Sequence, residues 1–267
     1  MLLGVAGLVV MMAAQGGTLE LDGKLTQGAL IIGRTDPGAK VKIDGESVRV
    51  SDDGVFLLGF GRDAPADARL EATFPDGSSM RRDLKVAKRK YQVQRIDGLP
   101  PSKVTPSEKD MVRIRKEYAQ VREARARNDA REDFLAGFTW PLSGPISGVY
   151  GSQRILNGVP RRPHFGVDIA APVGATVRAP ADGIVTLTND DMFFSGGTLI
   201  IDHGHGLSST FIHLSAILVK EGQRVRQGDV IAEVGATGRV SGPHLDWRMN
   251  LLDKRLDPQL LVPPMAP

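Results

Sequence analysis

Five side chains in the second half of the chain have the types and spacing to build one hydrolytic metal site. His164 and Asp168 lie four residues apart in Pro163-His164-Phe165-Gly166-Val167-Asp168-Ile169. Imidazole nitrogen and carboxylate oxygen both bind zinc, and the intervening Gly166 is expected to let the backbone bend so that both converge. His244 and Asp246 alternate in Gly242-Pro243-His244-Leu245-Asp246-Trp247. In a strand, residues two apart face the same side. His213 lies in a third β-like stretch, Phe211-Ile212-His213-Leu214-Ser215. A catalytic zinc needs three protein ligands and one open position for water. The chain has 5 histidines, so three in such settings narrow the choice. The other two, in Asp202-His203-Gly204-His205-Gly206, have a metal-pair spacing but a turn composition, and are read as a hairpin tip.

These residues need rigid β elements to hold them. From Phe138 onward the texture is Gly-rich and β-branched, with strand-like runs at 198–201, 209–212, 230–234 and 244–247 and no helical period. This predicts an all-β domain over 138–262. Residues 18–96 show short alternating runs separated by Asp36-Pro37-Gly38, Asp44-Gly45, Asp52-Asp53-Gly54 and Pro75-Asp76-Gly77. That cadence predicts the hairpins of a small Ig-like sandwich, read as a spacer or docking module. Lys88-Arg89-Lys90 reads as a solvated strand end.

Residues 97–137 read as a Pro-rich linker followed by a charged helix over roughly 106–135. Its predicted start is a capping box at Thr105 to Glu108, with Pro106 at the first helical position. Its apolar seam is Met111, Ile114, Tyr118 and Val121, and fails at Arg125 and Asn128. The fold class is therefore mainly β, in two β domains joined by a helical linker.

Bulk composition sets outer limits. The chain has 267 residues, 41 % apolar and 5 % aromatic, with 31 glycines, a net charge of +3 and no cysteine. Disulfides and thiolate metal sites are excluded. The small basic excess, without a recognition motif, argues against nucleic acid. The apolar run Leu2–Ala14, ending in Met12-Ala13-Ala14-Gln15, predicts a signal peptide or N-terminal anchor over residues 1–15, although no Lys or Arg precedes Lys24.

Residues 140–260 resemble the lysostaphin-like metalloendopeptidases of bacterial cell walls, the M23 or LytM-domain peptidases. The matching pieces are Asn157-Gly158, His164-x-Gly-x-Asp168, Gly174 to Gly183, Phe211-Ile-His213-Leu-Ser215, Val225-x-x-Gly228-Asp229-x-Ile231, Gly235-Ala-Thr-Gly238 and Gly242-Pro243-His244-Leu245. The resemblance implies an endopeptidase with one Zn2+ ion, cutting peptide bonds in peptidoglycan stems or cross-links through a metal-bound water. By that resemblance His164, Asp168 and Asp246 are the metal ligands, and His213 and His244 are catalytic. Asn157, Arg162 and Phe194 would touch substrate, the loop 190–197 would wall the groove, and Arg154, Arg161 and Arg162 flank the site. The implied setting is the periplasm or cell envelope, with peptidoglycan and cell-division or wall-hydrolase proteins as partners.

Two positions depart from the family pattern. Asp246 stands where the family has His, which makes the donor set more negative and is expected to acidify water less. Phe211 stands where Tyr is common, which is expected to remove a hydroxyl near substrate. Asp246 keeps a second reading open: a catalytically impaired domain that binds wall or activates another hydrolase. A third, a biotinyl-type carrier suggested by Val225 to Asp229, lacks a lysine in the turn.

Overall fold

A computed structural model describes residues 17–98 and 105–265. The apolar run proposed as a signal or anchor lies outside the described residues. No helix among those described is long and apolar enough to cross a membrane.

The N-terminal part holds seven strands: β1 (Leu19–Asp22), β2 (Leu30–Thr35), β3 (Lys40–Ile43), β4 (Glu46–Val48), β5 (Val55–Gly59), β6 (Asp67–Thr73) and β7 (Ser79–Lys85). They form one sheet ordered β1-β2-β5 and another ordered β4-β3-β6-β7. Their alternating apolar residues, including Ile31, Val41, Phe56, Leu58 and Leu70, meet in one core. At the β3–β4 turn, Asp44 and Gly45 both take positive φ, 51° and 86°. That is the geometry a two-residue hairpin needs, and Asp-Gly meets it at low cost.

The connection is woven into the second domain. The next strand, β8 (Val93–Ile96), belongs by sequence to the first domain, yet it pairs in parallel with residues Gln153–Leu156. Helix α1 (Glu108–Arg125) starts two residues later than the sequence suggests: Ser107 is the N-cap and Asp110 completes the capping box. It also ends earlier than expected, and Asp133–Ala136 forms a separate 3-10 turn. Its seam differs as well. Ile114 and Ala124 are buried, while Tyr118 is exposed.

The second domain contains β9 (Ile146–Gly148), β10 (Gln153–Leu156), β11 (Val159–Pro160), β12 (Val167–Ala170), β13 (Thr176–Arg178), β14 (Gly183–Met192), β15 (Gly196–Asp202), β16 (Leu207–Ile217), β17 (Arg224–Val225), β18 (Val230–Val234), β19 (His244–Leu251) and β20 (Lys254–Leu256). Its main sheet runs β17-β14-β15-β16-β19-β12-β9. On β19, Leu245, Trp247, Met249 and Leu251 enter the core with Phe211, Val167 and Ile169. Strand alternation then commits Asp246, Arg248 and Asn250 to the opposite face. Phe211 is fully buried on the core side, so a hydroxyl there would not reach the site face; the expected loss of a substrate contact does not arise.

The two β domains are clamped by Arg89, whose guanidinium meets the buried Asp257 carboxylate at 2.7 Å. This corrects its reading as part of a solvated strand end. Arg62 adds a hydrogen bond to the Gly151 carbonyl at 2.7 Å.

Candidate metal centre

Two adjacent strands and one loop assemble the site. Asp168 on β12 sits directly opposite Asp246 on β19 in antiparallel register, so the two carboxylates share a face. His164 precedes β12 and is pinned by its own backbone: its N–H donates to the Ser152 carbonyl and its carbonyl accepts from Gly151 N–H, at 2.8 and 2.7 Å. All three side chains are buried, and one ligand atom of each lies within 4.8 Å of the others.

Gly166 serves a different purpose from the one its sequence position suggests. Its φ is not positive, but a Cβ there would lie 2.3 Å from Asp246 Oδ1 and 2.6 Å from Arg248 Cγ. The residue is glycine because β19 needs the space. Gly148 on β9 likewise leaves room for Asp168, since a Cβ there would fall 2.2 Å from Asp168 Oδ2.

The cluster fits a metal ion. His164 Nε2 lies 3.0 Å from Asp168 Oδ1 and 3.2 Å from Asp246 Oδ2. Two ligands of one tetrahedral zinc, each about 2.0–2.1 Å from it, stand roughly 3.3 Å apart. His164 Nε2 and Asp168 Oδ1 are buried, and their approach is not aligned as a hydrogen bond. Burial by itself would lower the His164 pKa; the carboxylates of Asp246 and Asp168 outweigh it and raise it.

Each carboxylate is also held by an arginine. Arg248 donates to both oxygens of Asp246, at 2.9 and 2.5 Å. Arg154 donates to Asp168 Oδ2 at 2.9 Å. Burial disfavours the Asp246 anion, but Arg248 and His164 hold its pKa well below the usual carboxylate range. The two guanidinium charges offset the two carboxylate charges, so Asp246 need not make the site less able to acidify water than a His would. The electrostatic expectation drawn from the sequence counted the donor set alone, without these two arginines. Arg248 was legible as a cation two residues from Asp246 on the same strand face. Arg154, read from the sequence only as flanking the site, orients Asp168.

His213 and His244 face each other with ring centroids 4.9 Å apart. His213 Nδ1 donates to the Thr237 carbonyl and His244 Nδ1 to the Gly242 carbonyl, both at 2.8 Å. A carbonyl only accepts, so both Nδ1 atoms carry the proton and both Nε2 atoms keep a free lone pair. His244 Nε2 stands 3.8 Å from Asp168 Oδ1. Burial pushes the His213 pKa down to about 4, helped by His244. His213 also takes φ +69°, a conformation that a non-glycine residue holds only where its surroundings impose it.

The remaining candidates are more dispersed. Asn157 is exposed at the turn between β10 and β11, and Arg162 is exposed beside it in sequence. Phe194 lies at the tip between β14 and β15, under the Arg239 guanidinium at 4.5 Å. That tip is braced by α1, whose Glu117 accepts from Phe193 N–H at 2.9 Å. His203 and His205 flank the β15–β16 hairpin as expected. His203 Nδ1 donates to the Asp182 carbonyl at 2.6 Å, and its ring packs on Phe138.

Comparisons with known proteins point to one family. The profile of Peptidase family M23 matches residues 162–258. A crystal structure from Pseudomonas aeruginosa, described as a peptidase M23, superposes with a TM-score of 0.69 at 30 % identity, over 89 % of this chain and 95 % of that one. Peptidoglycan DD-endopeptidase ShyA of Vibrio cholerae is 38 % identical over 115 residues, covering 42 % of this chain and 26 % of that protein. Cell division protein DipM of Caulobacter vibrioides is 33 % identical over 132 residues, 47 % of this chain and 21 % of that one. The chain thus spans about a quarter of the length of the curated relatives it matches.

Proposed function

The chain belongs to peptidase family M23, and from that premise we propose that it is a zinc endopeptidase of the cell envelope, cleaving peptide bonds in peptidoglycan. The observation that carries this reading is the juxtaposition of the His164–Asp168–Asp246 cluster with two histidines whose Nε2 lone pairs are free. His164, Asp168 and Asp246 would hold one Zn2+. The ion would supply a Lewis acid that lowers the pKa of water and polarises a carbonyl.

The protein's own side chains do the rest. Arg248 and Arg154 fix the orientation of the carboxylates before substrate arrives. His213, neutral at neutral pH, accepts a proton at Nε2 from the attacking water. In its imidazolium form His244, facing it, would donate from Nε2 to the oxygen that gains charge as the carbonyl becomes tetrahedral. The Thr237 carbonyl holds His213 in the tautomer its role needs; the Gly242 carbonyl takes the Nδ1 proton of His244, so His244 donates from Nε2 only when protonated. Positioned acid–base groups of this kind contribute about 10²–10⁴-fold each.

Asp246 supports a second reading, a domain that binds wall without cutting it. Metal analysis of purified protein together with peptidoglycan digestion separates the two. The endopeptidase reading expects about one zinc per chain and release of muropeptide fragments, both lost in Asp246→Ala, with only cleavage lost in His213→Ala. A zinc-loaded protein that releases no fragments would leave the binding reading.

A further inference from the structure

The polar face of β19 continues beyond the metal centre, and what lies there is positively charged and short of partners. Register places Thr210 of β16 opposite Arg248, and Ser208 opposite Asn250. On the other side of β19, Arg255 of β20 is opposite Asn250. Directly opposed residues point to one face, so these side chains share the surface that carries Asp246. Helix α1 packs beside it, on β14 and β15. Arg125, at the helix C-terminus, reaches in and donates to Thr210 Oγ1 at 2.8 Å.

Three polar atoms in this region are buried without a hydrogen-bond partner: Arg125 Nε, Ser208 Oγ and Asn250 Oδ1. Leaving such atoms unpaired is costly. The guanidinium of Arg255 lies over the Phe165 ring at 4.8 Å. Among the described residues no carboxylate forms an ion pair with Arg125, and none is among the main charges acting on Arg255. The charges felt by Arg125 are Arg255 and Arg248, and those felt by Arg255 include Arg248 and Arg162. Arg248 and Arg154 spend their charge on the carboxylates of the metal centre; Arg125 and Arg255 do not.

We infer that Arg125 and Arg255, with Ser208, Thr210 and Asn250, form a carboxylate-binding subsite for a free carboxylate of the peptide substrate. Burial lowers the pKa of Arg125 to about 9 and of Arg255 to about 10, with crowding by other arginines adding to it. A bound anion relieves both costs, and arginine forks match carboxylate geometry. Ser208 supplies a hydroxyl donor, and a turned Asn250 amide supplies an N–H. The subsite lies two to four residues along β19 from Asp246, about 7–13 Å at strand spacing. An extended peptide with its scissile bond at the metal centre would therefore place a carboxylate there two to four residues away. The inference rests on the endopeptidase reading for the identity of the ligand, and it makes α1 part of the substrate site.

The test compares an acidic tetrapeptide bearing free side-chain and C-terminal carboxylates with its fully amidated twin. Binding to the full chain, stripped of zinc so that nothing is cleaved, is measured by calorimetry. The free acid is expected to bind about tenfold more tightly than the amide, which is about 1.4 kcal/mol. Arg125→Gln and Arg255→Gln should each erase that preference while zinc uptake stays unchanged. Inorganic phosphate should displace the acidic peptide. Equal binding of acid and amide to the wild type overturns the proposal, and needs no variant to fold. So does a preference that survives both substitutions, or phosphate that binds without displacing peptide, which would mark a site for free anions only. Cleavage by the zinc-loaded enzyme is scored separately. A calorimetric preference without cleavage would sink the catalytic reading and leave the subsite standing.

Discussion

Arg248 grips both carboxylate oxygens of Asp246, two residues away on the same strand, at 2.9 and 2.5 Å. The pair presents a carboxylate whose charge is offset, which brings it closer to the neutral imidazole it replaces in the family pattern. Removing the guanidinium should therefore weaken the ion as well as the chemistry. Arg248→Gln is expected to lower zinc affinity about 10–100-fold, the usual cost of losing an outer partner of a ligand. Competition with a chromophoric chelator measures it. Unchanged affinity would show that Arg248 does not tune the site.

Gly166 provides a steric test of the same pair. Gly166→Ala puts a methyl group 2.3 Å from Asp246 Oδ1, so the carboxylate must move. Zinc content should fall while circular dichroism and the unfolding midpoint change little. Gly61→Ala, where the nearest atom to a new Cβ is 3.9 Å away, serves as the control.

His213 should separate catalysis from metal binding. Its Nε2 is assigned to proton transfer and its side chain is outside the ligand cluster. His213→Gln should retain zinc and lower kcat by about 10²–10⁴. Loss of zinc in this variant would move His213 into the ligand set.

Acid stability should depend on His203. This residue is fully buried, and burial pushes its pKa down to about 4. The unfolded chain takes up the same proton near pH 6.5. The stabilisation is therefore complete above about pH 6.5 and is lost as pH falls toward 4, to a limit on the order of 3 kcal/mol. Burial raises Asp202 to about 6 despite Arg131, which works in the opposite direction over its own range below pH 6. The stability difference between wild type and His203→Gln, from urea unfolding between pH 7 and 4.5, should shrink as pH falls. A constant difference would mean that His203 does not titrate in this window.

The clamp between the β domains should be costly to break. Arg89→Ala leaves the Asp257 carboxylate, 1 % exposed, without its ion-pair partner. Removing one side of such a pair destabilises by about 3–5 kcal/mol. A urea midpoint within error of the wild type would rule that cost out.

The sequence by itself determined the β character of both domains, through period-two alternation and Asp-Gly turns, and the chemistry of the site, through histidines and carboxylates set in strand-like runs. It also exposed the departure at Asp246. These are local properties, written in residue type and spacing of a few positions. Only the tertiary structure decided what surrounds them. Strand register set Asp168 opposite Asp246 and made Gly166 a matter of space rather than of φ. Parallel pairing drew β8 out of the first domain. Arg125, where the helical stripe seemed to fail, proved to point inward because β16 offers Thr210 there. The arginines decided the electrostatics of the site, and their partners lie from 2 to 85 residues away in sequence. Composition counts such charges, but only the folded chain pairs them.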